Sequence, residues 1–262
     1  AEVEMHAIQT SGNCIRNVTA DQYAGVAAGE VEDPRVYAEI IRQWSTLHPE
    51  FSFLPRKFKV AVTGCREDRA AVAVHDVGLR MTRNEHGEPG FEVLVGGGQG
   101  RTPVIAKTIR QFLPKRHLLS YLEAVLRVYN QQGRRDNAFK ARIKILVNSL
   151  GAAEFARMVE EEWQAMPDQE LDLPDGEIER IRAYFAPPEY ADLPDDPPAY
   201  AAWRRHDPDF ARWVQANVAA HKQPGYAIVN VSLKPQGGAP GDATAEEMAA
   251  VADLADRFAL SE

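Results

Sequence analysis

Leu54-Pro55-Arg56-Lys57-Phe58-Lys59 runs directly into Val60-Ala61-Val62-Thr63, and this junction constrains the fold more than any other stretch. Side chains alternate along a strand, so Lys57 and Lys59 share one face and Phe58 takes the other. Two ammonium groups on one strand face repel unless an anion lies between them. The run therefore predicts a strand with either an anion-receiving face or the charged edge that discourages sheet-to-sheet aggregation.

Around that junction the chain reads first as strands, then as helices. Residues 70–79 (AAVAVHDVGL) predict a second strand, and Phe91 to Val95 a third after the turn residues Glu88-Pro89-Gly90. Short and closely spaced, these three are expected to pair antiparallel. Helical spacing of apolar residues predicts helices over 34–47, 117–132, 137–149 and 152–163. Pro34 suits the first turn of the first of these. Residues 10–25 read as loop and turn, and Gly96 to Gly100 leads through Thr102-Pro103 into the helical region. The Pro- and Asp-rich stretch 166–210 reads as a long connection holding one short helix, 175–185. A strand over 226–233, a loop over 235–242 and the capping box Thr244-Ala245-Glu246-Glu247, opening a helix to about Phe258, complete the chain. A strand, a turn and a helix without a return strand form an unfinished unit, so an internal fragment of a longer protein is expected. The expected class is α+β, a mixed and mainly antiparallel sheet with flanking helices.

Composition excludes several classes. With 262 residues, 45% of them hydrophobic, the chain can bury a core, and no apolar run approaches the roughly 20 residues a bilayer span needs. No secretory signal is visible at the N-terminus. Cys14 and Cys65, the only two cysteines, point to a reducing compartment, hence the cytoplasm. Charge is unevenly distributed. Residues 100–144 carry 11 basic and 2 acidic side chains, a balance of +9, inside a chain whose net charge is −8. A basic block in an acidic protein marks either a solvated helix face or a local anionic partner. Lys140 and Lys144 share a helix face there. Aromatics interleave too little for nucleic acid, and no membrane partner is expected.

Three other features are candidate sites. Gly96-Gly97-Gly98-Gln99-Gly100-Arg101-Thr102 fails both the phosphate-loop and the dinucleotide patterns. It is either a flexible turn or a place where backbone must approach a bulky ligand. The seven histidines show no tight metal spacing. His75 beside Asp76 is an acid–base pair by composition alone, but neighbours on a strand face opposite ways, which favours a structural role.

Taken together, Thr10-Ser11-Gly12-Asn13-Cys14-Ile15-Arg16-Asn17, the 54–59 run, Phe91-x-Val-Leu-Val-Gly-Gly-Gly98 and Ala141-Arg142-x-Lys144 resemble the sirohaem-containing sulfite and nitrite reductases in order and spacing. The resemblance runs from about 8 to 165 and resumes from about 210. It implies a partial sirohaem-binding reductase domain over 1–165, a connection over 166–210 and the truncated start of a second ferredoxin-like half-domain over 211–262. The implied activity is the six-electron reduction of sulfite to sulfide in sulfur assimilation, or of nitrite to ammonia, fed by ferredoxin or a flavoprotein subunit. The implied cofactors are sirohaem and a [4Fe–4S] cluster. By motif position, Arg16, Lys57 and Lys59 match the residues that bind the substrate anion and help supply protons. Arg56, Arg142 and Lys144 match positions that grip sirohaem carboxylates, and Asn13 with Gly96, Gly97 and Gly98 would lie against the macrocycle. The family's cluster-binding cysteines are missing here, and neither Cys14 nor Cys65 matches one, so no metal ligand is expected within the chain and the fragment alone is expected to be inactive. A competing reading is a non-catalytic anion-binding module.

Overall fold

The computed structural model describes residues 9, 11–167, 171–234 and 237–259. Thr10 of the first motif and Pro235 of the expected loop lie outside them. The described residues form two compact units, one running to Gly25 and from Gly29 to Phe185, the other joining Val26–Ala28 to the chain from Ala186 onward.

A five-stranded mixed sheet carries the larger unit. Its strands β1 (Ile15–Thr19), β2 (Phe58–Thr63), β3 (Val77–Arg83), β4 (Pro89–Val95) and β5 (Lys107–Pro114) lie side by side in sequence order. The mixed sheet with flanking helices is the expected class. One pairing is a correction: β2 and β3 run parallel, as do β1 and β2, while β3/β4 and β4/β5 are antiparallel. The cause is the connection over 64–76, long enough to carry the chain back to the starting end, which a parallel pair requires. The same connection moves the second strand, expected from residue 70, to Val77. Asp68 accepts hydrogen bonds from the Val72 and Ala73 N–H groups at 2.7 and 3.1 Å, Ala71 is left-handed (φ 55°) and Val72–Val74 form a 3₁₀ turn, so this apolar run is folded rather than extended.

Alternation along β2 is resolved as the sequence demands. Phe58, Val60 and Val62 join the core, whereas Ala61 belongs to a separate small cluster with Val72, Leu94 and Ala106. Lys59 therefore shares its face with Ala61, away from the core. The core is built by that inner face under α1 (Pro34–Ser45), α2 (Leu118–Gln132), α3 (Ile143–Leu150), α4 (Ala152–Gln164) and α5 (Asp175–Arg182). Helix α1 starts where expected, with the Asp33 carboxylate accepting from the Arg35 N–H at 2.9 Å and Pro34 in the first turn. It ends two residues early, before Leu47, which is left-handed (φ 59°). The helix expected over 137–149 is shorter, because residues 138–140 form a 3₁₀ turn and α3 starts at Ile143. Strand β1 falls within 10–25, a stretch expected to be loop and turn, and strand β5 was not expected either. Only Leu113 is fully buried in it, so it carries no alternating apolar signal.

The smaller unit contains α6 (Pro198–His206), α7 (Pro208–Asn217), a hairpin of β6 (Val218–Ala220) with β7 (Ala227–Val229), and α8 (Ala245–Phe258). Helices α6 and α7 correct the expected connection with a single helix: Pro197-Pro198 and Pro208 are helix starts, since proline is tolerated in the first turn, and the strand expected over 226–233 is shorter, Ala227–Val229. The capping box is present as expected, with Thr244 accepting from the Glu247 N–H at 3.2 Å and Glu247 from the Thr244 N–H at 2.8 Å.

One core-edge contact predicts a pH dependence. His48 stacks on Phe51 with centroids 4.1 Å apart, and burial, reinforced by Arg127, holds its imidazole below the ordinary histidine range against the pull of Glu50. Glu123, 3.6 Å from its Nε2, is already paired with Arg127 at 2.9 Å. The unfolded chain therefore takes up this proton more readily than the folded one, and stability should decline as pH falls through about 6.5, the unperturbed histidine value. Urea midpoints between pH 8 and 5 should show that decline, and it should flatten in His48→Gln; an equal slope in the variant would remove His48 as its source.

Candidate functional site

The cations singled out in the sequence converge at one end of the sheet. Arg16 enters through an irregularity in β1, where Ile15 pairs with Phe58 and Asn17 with Lys59. Two residues of β1 thus advance for one of β2, a bulge that re-aims the Arg16 side chain. Its Nε donates to the Gly12 carbonyl at 2.9 Å. The neighbouring loop is tied to the same strand, because the Leu54 N–H donates to the Asn13 carbonyl at 2.8 Å and the Phe58 N–H to that of Cys14 at 2.9 Å. Asn13 itself is exposed.

Lys57 reports how closely the charges gather. Partial burial, followed by the positive charges of Arg16, Arg142, Lys59 and Arg56, holds its ammonium below the usual lysine range. Among the described residues none of Arg16, Arg56, Lys57 and Lys59 forms an ion pair with a carboxylate. Such a cluster concentrates positive charge at this end of the sheet and so attracts anions.

Arg142 reaches the cluster from the N-terminal end of α3, whereas Lys144, two residues on, turns to the loop that follows the glycine run. Arg142 points Nε and Nη2 at Oδ1 of Asp76, at 3.0 and 2.7 Å. Lys144 is 7% exposed and donates to the carbonyls of Gln99 (3.0 Å) and Thr102 (2.6 Å). It thereby pins the loop that Gly98 and Val104 close with paired backbone hydrogen bonds. Tyr129, buried under this corner, donates its hydroxyl to the Ala141 carbonyl at 2.8 Å. That contact fixes the segment from which Arg142 projects.

The glycine run has reasons internal to the protein. Gly96 is left-handed (φ 84°), and a Cβ on Gly97 would sit 2.6 Å from the His75 carbonyl oxygen and 2.7 Å from that of Ala73. At Gly98 it would meet the Lys144 side chain at 3.0 Å. All three are buried, and they let the loop close over the turn before β3.

Asp76 is the residue that sequence reasoning passed over as structural. It precedes β3 rather than lying within it, and its carboxylate is turned toward Arg142 and the Lys59 N–H. The signal was present: an acid at the entrance of an apolar strand must find donors. His75, considered beside it, directs Nδ1 to the Ala71 carbonyl at 2.7 Å instead.

Known proteins with this arrangement decide the family. The model of the nitrite and sulphite reductase 4Fe-4S domain matches residues 11–166, more than half of the chain. The chain belongs to this family. A sulfite reductase [ferredoxin] 1 from Mycolicibacterium paratuberculosis is 33% identical over 162 residues, covering 62% of this chain and 29% of that protein. A ferredoxin–nitrite reductase from Leptolyngbya laminosa is 30% identical over 161 residues, covering 60% of this chain and 31% of that protein. The solved structure of the Mycobacterium tuberculosis NirA protein superposes with a TM-score of 0.67 at 27% identity, covering 98% of this chain and 40% of that one. This chain thus spans about 30% of the length of the curated relatives it matches. Among the described residues no helix is long and apolar enough to cross a membrane.

The family's two cofactors fit this chain differently. A macrocycle rich in carboxylates suits a cluster of cations of which, among the described residues, Arg142 alone is paired with a carboxylate, that of Asp76. A [4Fe–4S] cluster does not fit, because it needs about four cysteine ligands. The chain has two cysteines, Cys14 and Cys65. Both are buried, and burial raises both thiols above the usual range.

Proposed function

We propose that this chain supplies the anion-receiving side of a sirohaem-dependent reductase that converts sulfite to sulfide, with residues 211–262 beginning a second ferredoxin-like half-domain. The observation that carries the reading is the gathering of Arg16, Arg56, Lys59 and Arg142 around Lys57, where burial first and these charges second hold its ammonium below the usual lysine range. Sirohaem, when bound, supplies the redox-active iron. The protein's own residues do the rest. Arg142 and Arg56 hold macrocycle carboxylates, and Lys144, with two of its three N–H groups committed to the loop, offers the third. Exposed Asn13, and the loop that the buried glycine run of Gly96, Gly97 and Gly98 lets close, would lie against the macrocycle. Arg16, Lys57 and Lys59 hold the oxygens of the substrate anion, and Lys57 Nζ, its proton loosened by burial and then by its neighbours, protonates an oxygen that departs as water. The cluster's cysteine ligands, and the dock for a ferredoxin-type or flavoprotein donor, come from polypeptide outside this stretch.

The complete polypeptide carrying this chain, produced with sirohaem, should be coloured and should form sulfide from sulfite with a reduced viologen donor. Ammonia from nitrite at a higher kcat/KM would reassign the substrate within the family. A colourless protein that still binds sulfite would leave only an anion-binding module.

A further inference from the structure

We infer that Asp76 is a positioning residue that fixes the substrate-binding strand and the cofactor-binding arginine to each other. The inference rests on the reading of the site just proposed. Asp76 is fully buried, with its side chain 1% exposed, and a buried carboxylate must be completely partnered. Its partners are drawn from the site. Oδ2 accepts from the backbone N–H of Lys59 at 2.9 Å, adding a rung to the β2/β3 ladder just before its first residue pair, Val60 with Val77. Oδ1 accepts both Nε and Nη2 of Arg142, which sets the plane of the guanidinium. Its own carbonyl accepts the Gly96 N–H at 3.0 Å.

One residue therefore joins the start of β2, the start of α3 and the entry to the glycine run. Asp76 also places a negative charge behind that cluster, on the side away from solvent. There it offsets part of the mutual repulsion before any anion arrives, without competing for the anion's place.

The test uses the complete sirohaem-loaded protein, with wild type read first. A colourless wild type would remove the proposed function, and this inference with it. Given a coloured wild type, Asp76→Asn, which keeps shape and loses charge, should raise the sulfite KM roughly 10- to 100-fold, the usual effect of losing an outer-shell partner. Its kcat per sirohaem should stay within about threefold, the pattern of lost binding without lost chemistry. Sirohaem per purified chain should fall. Arg142→Lys keeps the cation but not the fork that grips Asp76, and should show the same KM rise even if Asp76→Asn folds poorly. Adding Asp76→Asn to Arg142→Lys should raise KM by less than it does alone, because both act on one contact. Wild-type KM and sirohaem content in Asp76→Asn, with only a lowered melting temperature, would overturn the inference, as would a wild-type KM in Arg142→Lys.

Discussion

Alanine at Lys57 or at Lys59 should lower turnover of the complete, sirohaem-loaded protein by about 10²- to 10⁴-fold, the range a positioned proton donor contributes, while leaving its thermal melting almost unmoved. Both lysines are half-exposed and project from the face of β2 that the core does not use. Among the described residues neither forms an ion pair whose loss would strand a buried partner, so the fold has little to lose. The anion site has much to lose, since each lysine brings a positive charge to the substrate oxygens. Lys57 is the sharper case, because partial burial, and then its cationic neighbours, make its proton easier to give up. Lys57→Arg should keep binding and lose turnover, since a guanidinium does not surrender its proton near neutral pH. Turnover per bound sirohaem, compared with sulfite affinity from absorbance titration, separates the two effects. Wild-type turnover in both alanine variants would end their assignment.

Much of this site was legible because its information is local. The period of two through Lys57-Phe58-Lys59 fixes which side chains share a face, whatever the sheet around them. The capping box at Thr244 and the proline start of α1 are equally self-contained, and both stand where the sequence put them. What escaped depends on long-range partners. The parallel pairing of β2 with β3 is decided by how the connection over 64–76 folds, and that fold rests on Asp68 reaching forward to Val72 and Ala73. Strand β5 is stabilised by its ladder with β4 rather than by a buried face of its own. Asp76 meets Arg142 across sixty-six positions of sequence, and no spacing rule spans that distance. The bulge that aims Arg16 exists only as a mismatch between two strands.

Phe58→Ala should be the mirror image of the lysine variants, a loss of stability of about 3–5 kcal/mol, as for other buried Phe truncations. Phe58 is 1% exposed in the main core, and its ring centroid lies 5.5 Å from that of Tyr129. Removing it opens a cavity on the inner face of the strand whose outer face carries the cations. The damage should therefore reach the site through Tyr129, whose hydroxyl holds the Ala141 carbonyl just before Arg142. Phe58→Leu, which refills most of that volume, should recover most of the stability. Urea unfolding of the three proteins measures the ordering, and a loss below about 1 kcal/mol in Phe58→Ala would mean that the core closes over the gap. Sirohaem retention adds the decisive comparison. If Phe58 supports the site only through Tyr129 and the Arg142 segment, Phe58→Ala should shed cofactor in proportion to its lost stability, whereas Lys57→Ala should keep its cofactor and lose its chemistry. Adjacent residues on one strand would then fail in opposite ways, as the alternation of faces requires.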